Sequence, residues 1–395
     1  MATVILNKGR ARPVLLRHPW IFSGAIARIE GEAQDGDVVV VRDAGGNFLA
    51  RGTLNRQSQI AVRLLTWDEA GVIGGDFWRA RLARAIAGRQ ALADEPTTTA
   101  YRLVNAEADL LPGLIVDRYG DFLVVQFLTL GMDVRKREIV LLLAELIRPR
   151  GIYERCDEEM RAKEGLLSQE SCLWGEEPPD LLQITENSLC FWVDVKRGQK
   201  TGFYLDQREN RRRVQVHCSG QTVLNAFAYT GGFAVYAAAS GAKRITNVDT
   251  SADALDLARR NMALNGFAVR NDEFVQGDVF RVLRDYRDQG HSFDVVILDP
   301  PKFAHTQSQV ERAARGYKDI NLLALQLLRP DGTLVTFSCS GLIGADLFQK
   351  IVFGASVDAG RDVQIVEHLS QGPDHPVLLS FPESQYLKGL VCRVL

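Results

Sequence analysis

Cysteine is scarce in this 395-residue chain, and its six residues (Cys156, Cys172, Cys190, Cys218, Cys339, Cys392) are scattered with no C-x-x-C pair. That spacing argues against a zinc site and against a disulfide framework, and it fits a reducing cytoplasm. No metal is expected. Long apolar runs are missing as well. None reaches the length of a membrane span and no secretory signal opens the chain, so a cytoplasmic location without a membrane partner is expected. Charge of one sign is not in excess. The net charge of -2 carries no global mark of nucleic-acid binding, although a local one can sit inside it. Internal repeats and low-complexity tracts are absent.

What is present is organised around Phe293 to Phe303, FDVVILDPPKF. Val295, Val296, Ile297 and Leu298 form an apolar run without polar alternation, as in a strand buried on both faces of a parallel sheet. Asp299-Pro300-Pro301 stops it, because a proline cannot donate a ladder hydrogen bond. Asp299 therefore falls at the carboxyl end of a buried strand, where open α/β sheets bind ligands. A strand followed by a stiff turn accounts for this stretch equally well on its own.

The length suggests two or three domains, and the pattern divides into three. Residues 1–70 read as a small β-barrel, with apolar runs Val38–Val41, Phe48–Ala50 and Ile60–Leu65 between turn signals. Residues 1–68 carry nine Lys and Arg against six Asp and Glu, a balance of +3. Lys8, Arg10, Arg12 and Arg17 come without an acid among them, and His18-Pro19-Trp20 follows. A basic stretch beside an aromatic suits an RNA backbone and an unstacked base; a solvated basic face with a core Trp fits as well. Residues 71–185 read as an α+β unit, with helices over Phe77–Leu92 and Arg135–Ile147 and strands at Tyr101–Val104, Gly113–Val116 and Phe122–Phe127. The Asn105 to Asp109 loop reads as a solvated turn rather than a cation site. Trp174 to Asp180 reads as a linker or exposed loop.

Residues 186–395 alternate strand and helix, which means a doubly wound parallel sheet. Strands are expected at Thr222–Ala228, Arg244–Thr250, Asp272–Gly277, Phe293–Asp299 and Gly332–Ser338. Helices are expected at Phe233–Ala239, Ala252–Leu264, Val279–Arg287 and Gln309–Leu328. Val363–His368 and Gly389–Leu395 are further strands, one of them an antiparallel edge. The first strand runs into Asn225-Ala226-Phe227-Ala228-Tyr229-Thr230-Gly231-Gly232-Phe233. Paired glycines admit close ligand approach, but the G-x-G-x-x-G of a dinucleotide fold is absent, so a pyrophosphate cradle is unsupported. Asp249 ends the second strand, placed to accept from ribose hydroxyls. Asp278 ends the third, placed to accept from an adenine amine, with Val279 or Phe280 beside the ring. Singly, Asp249 reads as a turn residue and Asp278 as a helix N-cap. Together they outline a nucleoside pocket without a phosphate site, and S-adenosylmethionine is such a ligand. Cys339 follows the fifth strand at the same sheet edge as Asp299, either as a nucleophile or as a buried thiol.

On these motifs the C-terminal part resembles the class I S-adenosylmethionine-dependent methyltransferases. The whole chain resembles bacterial 23S ribosomal RNA cytosine-5 methyltransferases with an N-terminal PUA domain. The residues carrying this are Phe203-Tyr204-Leu205-Asp206-Gln207-Arg208, Asn225 to Phe233, Asp249, Asp278, Asp299-Pro300-Pro301-Lys302-Phe303, Ser338-Cys339-Ser340, His18-Pro19-Trp20-Ile21-Phe22 and Leu111 to Asp117. The resemblance implies a Rossmann-like sheet preceded by a PUA-like and a central domain. It implies S-adenosylmethionine held by Tyr204, Asp206, Arg208, Asn225, Phe227, Tyr229, Thr230, Gly231, Asp249, Ser251, Asp278, Val279, Asp299 and Pro300. It implies ribosomal RNA as partner, met by Lys8, Arg10, Arg12, Arg17, Trp20 and Lys302, with a homodimer left open. Catalysis falls to Cys339, attacking cytosine C6, and Asp299, holding the pyrimidine edge; His375, Glu383 or water would remove the C5 proton. Asn225 departs from the acid common at that position, which either weakens ligation of the methionine ammonium or leaves it to Asp206. The alternatives are 5-methyluridine formation, amino-group methylation or a non-catalytic RNA-binding factor. For an amino-methylating enzyme the aromatic belongs directly after the prolines, whereas here Lys302 intervenes.

Overall fold

The computed structural model describes residues 1–395, and their contacts gather into two compact units. The first comprises Met1–Ile184, Val193–Leu205 and Pro373–Ser384; the second comprises Thr185–Trp192, Asp206–Gly372 and Gln385–Leu395.

The first unit holds two sheets. Six strands pair in the order Trp20–Ile21, Val62–Thr66, Phe48–Leu54, Val38–Arg42, Thr3–Leu6, Ile26–Glu30. Thr3–Leu6 and Ile26–Glu30, not anticipated, are a short run and one with alternating polarity. Five more pair in the order Ser171–Gly175, Gly151–Glu154, Phe122–Phe127, Leu114–Tyr119, Ala100–Asn105. Trp174, expected in a loop, is thus partly in a strand, because Ser171–Gly175 finds Gly151–Glu154 as an antiparallel partner. Helices Gly75–Ala87 and Lys136–Ile147 bury Trp78, Leu82, Ile139 and Leu143 on the strand residues Val104, Val116 and Val125.

Within this unit the 105–109 stretch is not a solvated turn. Glu107 is buried and accepts from Trp20 Nε1 at 2.8 Å and Arg63 Nη1 at 3.0 Å. Arg63 also donates to buried Glu164 at 2.8 Å, and Asp109 takes both guanidinium nitrogens of Arg89. Carboxylates this deep persist only when paired, which the Asn/Asp turn rule does not see. Glu164, Ser58 and Asn55 complete the cluster, which ties the first sheet to residues far along the chain.

The second unit carries a seven-stranded sheet: β1 (Thr222–Ala226), β2 (Arg244–Asp249), β3 (Phe274–Gln276), β4 (Phe293–Leu298), β5 (Leu328–Ser338), β6 (Val363–Ser370) and β7 (Lys388–Val394), in the order β3-β2-β1-β4-β5-β7-β6. Between them lie α1 (Gly232–Ala239), α2 (Ala252–Leu264), α3 (Val279–Asp288), α4 (Val310–Leu327) and α5 (Ala345–Ala359). β7 runs antiparallel to both β5 and β6. The antiparallel strand is therefore interior and β6 is the edge, as burial dictates: most of β7 is covered, while most of β6 is partly or fully exposed. α5 was not anticipated, although Phe348, Ile351, Val352 and Ala355 repeat at helical spacing and fill the core. β3 is shorter than expected because Asn271–Glu273 forms a 3₁₀ turn. No helix is long and apolar enough to cross a membrane.

Arg63 neutralises two buried carboxylates at once. Burial pushes Glu164 up, but the Arg63 charge together with hydrogen bonds from Arg63, Ser58 and Asn55 outweighs it and holds the carboxyl below its ordinary range. Arg63→Ala should therefore destabilise the first unit by about 3–5 kcal/mol in denaturant titration at neutral pH. Because the folded value of Glu164 is depressed, its share of stability is present above the unfolded value and fades as pH falls through the folded one. A variant within about 0.5 kcal/mol of the parent would contradict this assignment.

Candidate functional site

The strand order reverses between β1 and β4, and ligands of open α/β sheets bind outside the carboxyl ends at such a point. Six of the residue groups expected from sequence fall along this edge of the second unit, one after each of β1 to β5 and one before the sheet begins.

After β1 the backbone is unusual. Phe227 and Tyr229 adopt positive φ (60° and 47°), and Gly231 follows at 77° as the cap of α1. Gly231 has to be glycine on two counts: its φ, and a Cβ there would lie 2.9 Å from the Ala258 Cβ of α2. Positive φ in two bulky residues costs free energy and persists only where surroundings enforce it. Here the Tyr229 N–H donates to Asp249 Oδ2 at 2.8 Å. Asp249 Oδ1 accepts from Ser251 N at 2.9 Å, so the second-strand acid fixes the first-strand turn while keeping lone pairs to spare. Thr230 is buried, and its Oγ1 is a polar atom without a hydrogen-bond partner. A buried hydroxyl left unpaired calls for an explanation; a polar ligand at this turn supplies one. Asn225 is also buried, donating to Asn247 Oδ1 at 3.0 Å.

Asp278 caps α3, accepting from Arg281 N at 3.0 Å, and remains exposed at the end of β3, with Val279 buried beneath it. Ser251 caps α2 in the same way. Both capping roles are compatible with the edge position and account for the residue types by themselves.

The end of β4 carries the strongest electrostatic signature. Asp299 keeps some surface exposure, yet burial and then the nearby Asp206 carboxylate lift its pKa to about 7. Gln207 Nε2 donates to Asp299 Oδ1 at 3.0 Å, and Gln207 Oε1 accepts from buried Asn210 at 2.6 Å. Asn210 thus dictates which way the Gln207 amide faces, so that its Nε2 is turned to Asp299. Asp206 accepts from the Tyr386 hydroxyl at 2.7 Å. Arg208 is fully buried, its Nε 3.4 Å from Glu209.

Cys339, after β5, is partly exposed, with Sγ 4.0 Å from the Pro300 carbonyl. Cys218 and Cys392 differ: both are buried, and burial pushes each thiol up to about 12. Beside Cys339 stands a residue that sequence reasoning missed. Lys388 opens β7 opposite Ser338, and its Nζ donates to the carbonyls of Ser340 and Ile343. Burial lowers the Lys388 pKa to about 8, opposed by an interaction with Cys339. A single Lys preceding an apolar strand gave no signal of this. Asn210, a neutral amide, was equally silent, and Gln207 entered only as part of the Phe203 to Arg208 motif, with no role of its own.

Other expected residues lie in the first unit. Tyr204 donates its hydroxyl to Gln199. His375 Nδ1 is 3.3 Å from Asp374, and Glu383 is 3.4 Å from His18. Lys8, Arg10, Arg12 and Arg17 are exposed around the short helix Arg12–Leu15. Trp20 is half-buried, edge-on to Phe381 with centroids 4.6 Å apart, and lines an aromatic cleft with His18 and Phe22. In the second unit Lys302 is exposed, whereas Phe303 packs on Tyr317 at 4.6 Å.

Comparison with known proteins decides the family. Residues 162–392 match the S-adenosylmethionine-dependent methyltransferase family, and residues 4–67 match the PUA-like domain. The chain belongs to this methyltransferase family. It is similar to the ribosomal RNA large subunit methyltransferase I of Klebsiella pneumoniae strain 342, at 48% identity over 99% of this chain and 98% of that one. The protein of the same name from Shewanella amazonensis is 51% identical over 98% of both. A solved chain from Streptococcus mutans, assigned to the S-adenosylmethionine-dependent methyltransferases, shares the fold at TM-score 0.87 and 23% identity, covering 100% of both chains. The β1 turn, with its unpaired Thr230 hydroxyl and the spare lone pairs of Asp249, fits the cofactor of this family.

Asp249→Ala removes both the acceptor and the brace on Tyr229, so S-adenosylmethionine affinity in calorimetry should fall by about 1–3 kcal/mol; unchanged affinity would reject the placement. A second expectation concerns pH. With its folded pKa raised to about 7, Asp299 holds a proton that the unfolded chain releases near pH 4. Its contribution to stability is complete below that pH and is lost as pH rises to about 7. Asp299→Asn should flatten this slope in urea titrations at pH 4.5 and 7.5. Parallel pH dependences for parent and variant would count against the shift.

Proposed function

We propose that the chain methylates large-subunit ribosomal RNA at C5 of a cytosine, with Cys339 as the nucleophile and Asp299 as the group that engages N3. The observation that carries this reading is the placement of a partly exposed thiol, 4.0 Å from the Pro300 carbonyl, at the same sheet edge as Asp299, whose pKa burial and Asp206 push up to about 7. The names of the relatives support the RNA class.

Cytosine C5 is a poor nucleophile. Addition of the Cys339 thiolate to C6 forms an S–C6 bond and pushes electrons toward N3, leaving C5 enamine-like. Protonated Asp299 donates to N3 and stabilises that charge. Bound S-adenosylmethionine supplies the methyl group as an electrophile. Loss of the C5 proton to a base then expels the thiolate and restores the ring. Lys388, cationic beside Cys339, favours the thiolate both before attack and on departure. Cofactor contacts are proposed for Asp249 with the ribose hydroxyls, Asp278 and Val279 with the adenine, and Asp206 with the methionine ammonium. Asn225, Phe227, Tyr229, Thr230, Gly231, Ser251, Arg208 and Pro300 would shape the remainder.

Two features favour cytosine C5 over the alternatives. Uracil N3 carries its own hydrogen, so a carboxyl that retains a proton matches cytosine better. Amino methylation calls for an aromatic face after the two prolines; Lys302 occupies that position, and Phe303 is packed on Tyr317. Residues 1–70 are proposed to bind RNA through Lys8, Arg10, Arg12, Arg17 and Trp20, with 71–185 as the central domain and 186–395 as the methyltransferase domain. Lys302, exposed beside Asp299, is proposed to meet the RNA there. Any base reached in this way has to leave its stack.

Cys339→Ala should abolish methyl transfer to ribosomal RNA while leaving the circular-dichroism spectrum and S-adenosylmethionine affinity intact. Mass spectrometry of nucleosides from wild-type reactions should find 5-methylcytosine. Residual transfer by the variant, or 5-methyluridine as product, would overturn the reading. Lys388→Met should raise the pH midpoint of Cys339 alkylation, as expected when a neighbouring cation is removed; an unmoved midpoint would exclude its role.

A further inference from the structure

Three arginines of the first unit meet at one cleft with no carboxylate paired to any of them. The cleft encloses about 520 Å³ and is lined by Arg17, Trp67, Arg81 and Arg84, with Thr66 and Asp68 at its margin. Arg17 ends the turn after helix Arg12–Leu15 at φ 64°, an uncommon conformation for a side chain of its size, and its guanidinium lies 5.2 Å from the centroid of the Trp67 ring. Trp67 is itself anchored, Nε1 donating to the Val14 carbonyl at 2.8 Å.

Arg81 and Arg84 stand three residues apart on helix Gly75–Ala87, on one face. Arg81 Nη2 donates to the Leu65 carbonyl at 2.9 Å, and the guanidinium lies over Phe77 at 5.0 Å. Its Nη1 is buried and has no hydrogen-bond partner. Burial, followed by the repulsion of Arg84, lowers the Arg81 pKa to about 10, which leaves its guanidinium a cation at neutral pH. Asp68 is the one acid at the margin; it is exposed, and its Oδ1 already accepts from Ala70 N at 3.0 Å. Two positive charges remain in excess. A buried donor without an acceptor, next to like charges, is a costly arrangement that an anion would relieve. An aromatic ring under one of the cations adds a surface for a sugar or base.

We propose that this cleft binds phosphodiester groups of RNA, with Arg81 Nη1 and Arg84 gripping the backbone and Arg17 and Trp67 flanking it. The inference rests on RNA being the substrate. It extends the RNA surface beyond residues 1–70, since Arg81 and Arg84 lie on a helix of the α+β part that neither composition nor the basic N-terminal run singled out.

The test is fluorescence polarisation of a labelled ribosomal RNA fragment over a range of potassium chloride, with the full chain. Arg81→Gln/Arg84→Gln is compared with wild type and with Lys350→Gln, an exposed lysine of α5. The double variant should bind RNA at least ten-fold more weakly at 0.15 M salt. The slope of log affinity against log salt should be shallower by roughly 1.4–1.8, the loss of two phosphate contacts. S-adenosylmethionine affinity should be unchanged, and Lys350→Gln should match wild type. Arg84→Gln alone, on an exposed side chain, should lose about half of that slope change, which guards against misfolding of the double variant. Wild-type affinity and slope in both variants overturn the proposal while RNA binding itself stands. Absence of salt-dependent RNA binding in wild type overturns both. Arginine-dependent binding of inorganic phosphate, with RNA affinity untouched by the substitutions, assigns the cleft to a free anion and also overturns the proposal.

Discussion

A carboxyl group in water gives up its proton near pH 4, and the surroundings of Asp299 push its pKa up to about 7. Its position at the end of a strand buried on both faces removes solvent, and Asp206 discourages a second negative charge beside it. The Gln207 amide, turned by Asn210, supplies one hydrogen bond that partly restrains the shift. The rest of the site depends on this balance. A fully solvated carboxylate would only accept hydrogen bonds at neutral pH; a carboxyl poised near 7 can also donate one.

The arrangement around it follows from the topology. Parallel strands deliver their carboxyl ends to one edge, so Asp249 and Cys339, 90 positions apart in sequence, stand along the same edge without any long ordered loop. β7, inserted antiparallel between β5 and β6, brings Lys388 alongside Ser338 and thus beside the thiol. Asp249 shows the economy of such an edge: one carboxylate braces the strained β1 turn and still presents lone pairs outward.

Much of this was legible in the sequence. The apolar run before Asp299, the glycine turn and the strand-helix alternation announced the sheet, because buried parallel strands leave a continuous apolar signature. Asp249, Asp278, Asp299 and Cys339 stand at the edge where their positions after the runs put them. What stayed hidden depends on partners distant in sequence. Glu107 and Asp109 read as a solvated turn because the Arg63 and Arg89 that neutralise them lie 44 and 20 residues away. Gln207, Asn210 and Lys388 gained their roles from packing alone. The interior place of β7 was obscured because an apolar strand reads alike in either direction.

The central claim is a covalent bond between Cys339 and cytosine C6, and RNA carrying 5-fluorocytosine at the target measures it directly. Fluorine at C5 cannot leave as a cation, so elimination stalls after methyl transfer. A complex resistant to denaturing electrophoresis should form with wild type, require S-adenosylmethionine, and vanish in Cys339→Ala. Adduct formation by Cys339→Ala, or its absence in a wild type that still methylates the same RNA, would contradict the account.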